Sequence, residues 1–226
     1  MRVVGLTGGI STGKSTVSRM LSEAGYPIID ADLIAREILY PGKPAYNKIV
    51  KTFSTEILQA NGEIDRAKLG ALVFSDESAR KKLNSCTHPY VKRRMVELVL
   101  YYYVTGHSLV FLDVPLLYEA KLDKFVSCVV VVYCSTEAQL QRLIKRDGST
   151  AEAAQDRINA QMSIEEKKGL ADIVIHNTGT IQETQEQVKA LLHKLQPSAF
   201  ATAFYLAAPV ISVASLLLGI KYWYSR

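Results

Sequence analysis

A glycine-rich stretch near the amino terminus has the residue types and spacing of a phosphate-binding loop. Residues 5–16 read GLTGGISTGKST, which contains the pattern G-x-x-x-x-G-K-[ST]. Glycines let backbone amides curl around phosphate oxygens, and Lys14 and Ser15 would reach the β- and γ-phosphates and a Mg²⁺ ion. A strand pattern precedes the loop and a helix pattern follows it, which disfavours a glycine turn without function. The predicted nucleotide contacts are Gly8, Gly9, Ile10, Ser11, Thr12, Gly13, Lys14 and Ser15.

Two aspartates are candidates for the chemistry at a phosphoryl acceptor. The stretch IIDADLIAR puts Asp30 and Asp32 at or just beyond the carboxyl end of a strand. In an open parallel sheet that edge also carries the phosphate loop, so both carboxylates can face the γ-phosphate. An acceptor hydroxyl needs a carboxylate to orient it and to take its proton. The alternative is that both aspartates cap the helix that follows, and the two roles are compatible.

Further candidates lie on later segments. In VFLDVPLLYE a hydrophobic strand ends in Asp113, which could hold Mg²⁺ directly or through water, or could bind a loop amide instead. Arg142, Lys145 and Arg146 share one helical turn, and Arg157 follows. Such cations neutralise a transferring phosphoryl group, although each of them alone is more often a solvated helix charge.

The pattern of elements predicts how these residues are positioned. Helical patterns alternate with short β-rich runs, which favours a doubly wound α/β fold with a five-stranded parallel sheet. Helix starts are indicated by Ser149 with Glu152, Ser163 with Glu166, and Thr180 with Glu183. The expected strands are residues 3–7, 27–30, 108–114, 126–133 and 172–177.

Two connections are longer than simple crossovers. The chain between the second and third strands predicts an inserted helical subdomain at about residues 33–105. The charged helical segment at about residues 136–170 is expected to form a lid. Both belong to a domain that we expect to span residues 1–195.

Composition narrows the function classes. The chain carries 27 basic and 22 acidic side chains, a formal net charge of +5, and has a pI near 9.0. Its basic residues form no stripe with interleaved aromatics, so we expect no nucleic-acid partner. Cys86, Cys128 and Cys134 form no CxxC pair, which favours reduced thiols. The oligomeric state is left open.

The carboxyl-terminal segment predicts a membrane anchor. Residues 197–220 carry no charged side chain, and Lys221 and the aromatic run YWY follow. As a helix this segment would span roughly 36 Å, against a hydrocarbon core of ~30 Å. The alternative is a helix buried on the protein's own surface. The short basic end favours a mitochondrial membrane and a domain that faces the cytosol, while the apolar start at residue 3 predicts no amino-terminal targeting segment.

Taken together, the motifs resemble those of the dephospho-coenzyme A (dephospho-CoA) kinase family over roughly residues 2–195. Single members of the set are weak signals, but their occurrence together and in order is specific. The matching stretches are GLTGGISTGKST, IDADLIAR, PGKPA, NGEIDRAKLG, His88–Pro89, DVPLLYE, QLQRLIKRD, RINAQ and ADIVIHNTG.

The resemblance implies transfer of the ATP γ-phosphoryl group to the ribose 3′-hydroxyl of dephospho-CoA, the last step of CoA synthesis. It assigns the catalytic base to Asp32 and catalytic lid cations to Arg142 and Arg146. The catalytic cation Lys14 and the Mg²⁺ ligands Ser15 and Asp113 are those that the loop and strand patterns predict. It implies acceptor contacts from Asp30, Arg36 and His88, and adenine-side contacts from Asn177 and Gly179. For His88 a purely structural role is an equal alternative.

The chain departs from the family pattern in two places. His176–Asn177 stands where the family usually has Asp-Asn, which bears on the adenine contact, and Ser11–Thr12 is bulkier than the common Gly/Ala–Ser. Two other functions stay open at this point. One is a kinase for another small hydroxyl acceptor, and the other is a silent, membrane-tethered nucleotide binder.

Overall fold

The computed structural model describes residues 1–196, without the side chains of residues 74 and 75, and contains a five-stranded sheet in the order β2-β3-β1-β4-β5. β1 pairs in parallel with β3 and β4, and β4 pairs in parallel with β5. The predicted α/β class and parallel sheet are confirmed, and every strand lies within two residues of its predicted bounds. The strands are β1 (Arg2–Gly8), β2 (Ile28–Asp30), β3 (Leu109–Asp113), β4 (Cys128–Tyr133) and β5 (Ile173–His176).

Nine α-helices connect or flank these strands within residues 1–196. Short 3-10 helices cover Thr55–Ile57 and Asp123–Phe125. The α-helices are α1 (Lys14–Glu23), α2 (Ala31–Glu37), α3 (Pro44–Phe53), α4 (Arg66–Ser75), α5 (Glu77–Val104), α6 (Thr136–Asp147), α7 (Ala151–Asn159), α8 (Ile164–Leu170) and α9 (Ile181–Leu195).

The chain divides into two compact units, of which the first contains the sheet. Within the described residues, this sheet unit comprises residues 1–29 and 99–196. All five residues of β3 are buried, as expected for a strand that is covered on both faces. The main core combines β-strand side chains with one face of α1 and one of α9, among them Leu6, Leu21, Phe111 and Leu191.

The second unit is helical and spans residues 30–98, in the region where an insertion was predicted at about residues 33–105. It has a core of its own in which Ile49, Ile57 and Cys86 are almost fully buried. The hydroxyl of Tyr46 donates to the Gly62 carbonyl oxygen at 2.5 Å and ties α3 to the turn that precedes α4.

A proline lies inside α5, at Pro89. Proline has no amide proton to donate to the carbonyl four residues earlier, which is that of Ser85. The Lys48 ammonium donates to this Ser85 oxygen at 3.3 Å. A side chain from α3 thus replaces the helical hydrogen bond that the proline removes.

Two of the three predicted helix starts are confirmed. Ser163 and Thr180 are the N-caps of α8 and α9, and each forms a reciprocal capping box with its glutamate. The third prediction, Ser149, is wrong by one residue. Thr150 caps α7 because its hydroxyl, and not that of Ser149, accepts from the Ala153 amide at 3.2 Å.

The membrane segment predicted at residues 197–220 lies outside the described residues. Among residues 1–196 no helix is both long and apolar enough to cross a membrane.

Candidate active site

The glycine loop joins the end of β1 to the start of α1. Gly13 is the N-cap of α1 in the left-handed region, with φ 94°, and its helix has no side-chain cap. The first amides of α1 therefore have no partner within the helix and point out of its positive end. A helix start of this kind is a binding site for a phosphate group.

Close packing behind the loop explains two of its glycines. A Cβ at Gly13 would overlap the side-chain amide nitrogen of Asn177, and the positive φ would be strained as well. A Cβ at Gly8 would lie 2.8 Å from the Val132 carbonyl oxygen of β4. The loop can adopt this course only without side chains at these positions.

Lys14 and Asp113 form an ion pair at the carboxyl edge of the sheet. Asp113 ends β3 directly beside Leu6 of β1, so the register of the two strands brings it to the loop. The side chain of Asp113 is only 3% exposed and that of Lys14 17%. The structure thus brings together the cation predicted for the phosphates and the carboxylate predicted for Mg²⁺.

The loop also offers donors and ligands that fit a nucleotide with its metal. The Ser11 hydroxyl is buried and has no hydrogen-bond partner within the described residues, so a phosphate oxygen can accept from it. Ser15 is exposed in the first turn of α1. With Asp113 it provides oxygen ligands, which Mg²⁺ prefers. No cluster of three or more acidic, histidine or cysteine side chains that could hold a metal by itself occurs in the described part of the chain.

Two glutamines hold the peptide groups of Ile10 within the loop. Gln139 on α6 donates from its side-chain amide to the Ile10 carbonyl oxygen at 2.8 Å. Gln161, just after α7, accepts from the Ile10 amide at 3.0 Å. The sequence analysis gave neither residue a role, although Gln139 begins QLQRLIKRD and Gln161 ends RINAQ.

Asn177 holds the loop from the other side. Its side chain is buried, donates to the Thr12 carbonyl oxygen at 2.7 Å and accepts from the Thr184 hydroxyl at 2.8 Å. The Asn177 carbonyl accepts from Arg142 at 2.8 Å, which brings this predicted lid cation to the loop after β5. The predicted nucleotide residue Asn177 therefore uses its side chain to shape the glycine loop, while Gly179 two residues on is exposed.

The unusual His176 faces away from this arrangement. Its ring is exposed and lies edge-on to Tyr133, with 5.3 Å between ring centroids. The side-chain amide of Gln187 donates to the His176 carbonyl and accepts from its amide, at 2.8 and 2.7 Å. The departure from the family pattern therefore changes the outer side of β5 and leaves the Asn177 contacts intact.

Two of the other cations predicted for the lid, Arg146 and Arg157, share one carboxylate partner. Arg146 and Arg157 both form ion pairs with Asp147. Their hydrogen bonds and charges, those of Arg146 foremost, lower the pKa of Asp147 and keep it ionised. In this arrangement Arg146 has a carboxylate partner, and its catalytic role stays a prediction.

In the helical unit, Asp30 and Asp32 differ in whether they cap the helix that follows. Asp30 caps α2, and one of its oxygens accepts from the amides of Asp32 and Leu33 at 2.8 and 3.0 Å. Asp32 lies exposed in the first turn of the same helix, and Arg36 lies exposed in its last turn. The Asp32 carboxylate is therefore not the cap and is accessible to a substrate.

The helical unit also has a pocket of about 360 Å³ between α2, α3 and α5, and its lining combines three cationic side chains with two carboxylates and one aromatic ring: Lys43, Arg93, Arg94, Glu37, Glu97 and Tyr90. Arg93 and Arg94 donate to Glu97 at 2.9 and 3.4 Å, and these contacts lower the pKa of Glu97. The carboxylate neutralises part of the guanidinium charge. His88, predicted to contact the acceptor, is exposed on α5 just before Pro89 and is not part of the pocket lining.

Comparisons with known proteins agree on one family. The family model for dephospho-CoA kinase matches residues 2–183. A dephospho-CoA kinase from Bacillus cereus is 52% identical over 192 residues, which is 85% of this chain and 96% of that protein. A dephospho-CoA kinase domain-containing protein from Danio rerio is 48% identical over 196 residues, or 86% of each chain.

Solved structures support the same assignment. The dephospho-CoA kinase from Campylobacter jejuni superposes with a TM-score of 0.67 at 30% identity, over 85% of this chain and 96% of that one. A crystal structure from Thermus thermophilus gives a TM-score of 0.73 at 33% identity, over 87% and 98%. With the glycine loop, the Lys14–Asp113 pair and the helical insertion in place, this chain belongs to the dephospho-CoA kinase family.

Proposed function

We propose that this protein transfers the γ-phosphoryl group of ATP to the ribose 3′-hydroxyl of dephospho-CoA, with Asp32 as the base that takes the hydroxyl proton. The products are CoA and ADP. The observation that best supports ATP as the phosphoryl donor is the Lys14–Asp113 pair beside an uncapped helix start. Family membership over most of the chain supports dephospho-CoA as the phosphoryl acceptor.

On the donor side, the first amides of α1 and the Ser11 hydroxyl bind phosphate oxygens, and Lys14 neutralises the charge that builds up on the transferring group. Ser15 and Asp113 would hold a Mg²⁺ ion, which would neutralise phosphate charge during the transfer. Arg142, which is held at the Asn177 carbonyl, provides a further cation from α6.

On the acceptor side, Asp32 accepts the proton of the 3′-hydroxyl as the new bond to phosphorus forms. A loose transition state lets this proton leave late, so an ordinary carboxylate is basic enough. Support comes from the exposed position of Asp32, in contrast to Asp30, which is engaged as the cap. In the pocket, Lys43, Arg93 and Arg94 outnumber the two carboxylates and can bind the anionic part of dephospho-CoA. Arg36 and His88 lie outside this lining and are proposed as further acceptor contacts.

The base role predicts a specific loss in Asp32→Asn. We expect the turnover number to fall roughly 10²- to 10⁴-fold, since that is the usual contribution of a general base. ATP affinity should stay unchanged. Stopped assays with dephospho-CoA and direct binding of an ATP analogue measure the two quantities.

The matched control is Asp65→Asn, in the same helical unit. Asp65 caps α4, and asparagine caps helices equally well, so this variant removes a charge without removing a cap. It should keep normal turnover. Full activity in Asp32→Asn would remove Asp32 from the base role, and a wild-type protein that consumes no ATP with dephospho-CoA would contradict the proposed function itself.

We also propose that residues 197–220 anchor the protein in a membrane, with the kinase domain on the cytosolic side, and favour a mitochondrial membrane. The support is the uncharged run with its aromatic and basic end.

A further inference from the structure

A fully buried lysine lies outside the set of residues assigned to the chemistry. Lys167 on α8 has a side chain that is 0% exposed. Its ammonium donates to the Pro115 carbonyl oxygen at 2.8 Å and pairs with a Glu119 oxygen at 2.9 Å. A buried ammonium is costly unless it is paired and hydrogen-bonded, so these contacts define where Lys167 can lie.

The first contact fixes the chain as it leaves β3. The Pro115 carbonyl that accepts from Lys167 also accepts from the Thr7 hydroxyl, at 3.0 Å. Thr7 directly precedes Gly8, and Pro115 follows Asp113 by two residues. This carbonyl thus ties the exit of β3 to the strand that leads into the glycine loop.

The second contact reaches the glycine loop by another route. The same Glu119 oxygen that pairs with Lys167 accepts from the Met162 amide at 3.1 Å. The neighbouring Gln161 accepts from the Ile10 amide. Lys167 therefore stabilises, through Glu119, the short segment between α7 and α8 from which the loop is held.

We propose that Lys167 is a positioning residue for phosphoryl transfer. Its buried ammonium fixes the position of the chain directly after β3, the strand that ends in Asp113. Through Glu119 it also fixes the segment between α7 and α8 that holds the glycine loop. Lys167 touches no reacting atom in this arrangement. The proposal rests on the proposed function only for the identity of the reaction, because its effect on nucleotide binding does not depend on the acceptor.

The test compares Lys167→Met with Lys168→Met. The two lysines are adjacent, but the ammonium of Lys168 lies over the Tyr133 ring, 4.3 Å from its centroid. In Lys167→Met we expect kcat to fall roughly 10²-fold, which is the usual effect of misplacing a catalytic group by about an ångström. We expect ATP analogue affinity to fall as well. Lys168→Met should match the wild type in both.

Two further variants separate positioning from folding. A merely structural role for Lys167 would lower the unfolding midpoint and leave the turnover per folded molecule and the nucleotide affinity unchanged. Lys167→Arg keeps the charge and donors and should recover part of the lost turnover. Glu119→Gln removes the charge of the partner and should show a smaller loss of the same kind, and it decides the question if Lys167→Met does not fold.

The proposal has clear contrary outcomes. Wild-type turnover and ATP affinity in folded Lys167→Met, or in Glu119→Gln where the former does not fold, would overturn it. Nucleotide affinity is measured without acceptor, so the positioning role can be judged even where dephospho-CoA is not the substrate. Failure of the proposed function would instead appear in the wild type, as ATP binding without turnover of dephospho-CoA.

Discussion

At the scale of single residues, the glycine loop is shaped by side chains that the nucleotide need not touch. The side-chain amide of Asn177 donates to the Thr12 carbonyl oxygen and accepts from the Thr184 hydroxyl. Because both partners are buried, neither can turn to water if Asn177 is changed. The loop conformation therefore depends on the amide group of Asn177 as well as on its own glycines.

Asn177→Asp tests this dependence. The substitution replaces the donor to Thr12 with a second acceptor, which leaves a buried carbonyl facing a carboxylate oxygen. An unsatisfied buried group costs about 1–3 kcal/mol, and 1.4 kcal/mol corresponds to a factor of about ten in affinity. We expect ATP analogue binding to weaken about tenfold or more, as measured by calorimetry.

The control for this prediction is Asn84→Asp, which makes the same chemical change at an exposed position on α5. It should bind the analogue like the wild type. If Asn177→Asp also bound normally, the Asn177 contact would have no part in forming the nucleotide site.

The sequence predicted part of this residue-level arrangement. The meeting of Lys14 and Asp113 follows from motif and strand order, because carboxyl ends of parallel strands share one edge. The direction of the Asn177 side chain does not follow, because it depends on contacts with distant residues. The burial of Lys167 could not be predicted either, because two adjacent lysines in SIEEKKGL are typical of a solvated helix surface. The available signal was its spacing, since position 167 lies one helical turn after the buried Ile164.

At the scale of elements, α9 supports the helix that follows the glycine loop. The buried face of α9 contains Val188, Leu191 and Leu195, which lie in the core that also holds Val17 and Leu21 of α1. Packing between α9, α1 and the sheet therefore fixes the helix whose start binds phosphate.

This packing predicts an unequal cost for two neighbouring leucines. Leu191 is 3% exposed, whereas Leu192 is only partly buried. Leu191→Ala should lower the free energy of unfolding by about 2–5 kcal/mol, as for other fully buried leucines, because it leaves a cavity. Leu192→Ala should cost clearly less. Urea denaturation of both variants measures the difference, and equal losses would contradict the assignment of the core face.

Element bounds were predictable where local chemistry decides them. The capping boxes at Ser163 and Thr180 were read correctly because both partners lie within four residues. The start of α7 was missed by one residue because Ser149 and Thr150 are both good caps, and only the backbone geometry selects between them. The long α5 was not foreseen, since Pro89 suggests a helix end and the compensating Lys48 comes from another helix.

At the scale of the whole molecule, the chain consists of a sheet unit and a helical unit, each with a core of its own. The insertion was predictable from the length of one connection, because loops of that length rarely lack structure. Its own boundaries, 30–98, were not, because α5 continues without a break from one unit into the other. No single stretch of the sequence predicts the pocket of this unit, because its lining comes from α2, α3 and α5 together.

The proposed anchor predicts a separation of activity from membrane attachment. A protein of residues 1–196 should phosphorylate dephospho-CoA at a rate close to that of the full chain, because the glycine loop, Asp32 and the pocket all lie within it. The full chain should stay with membranes in a carbonate wash, and residues 1–196 should be released. Release of the full chain would show that residues 197–220 do not span the bilayer.

The hydrogen bond from Asn177 to the Thr12 carbonyl affects when, during synthesis of the chain, the nucleotide site can form. The two residues are 165 positions apart, and Arg2 donates to a carbonyl 193 positions later, at Leu195. β1 lies between β3 and β4, both of which emerge from the ribosome after it. A nascent chain, or a translation product that stops before β5, therefore carries the complete phosphate motif without the contact that shapes it. We therefore expect nucleotide affinity to be acquired only when almost the whole domain has been made.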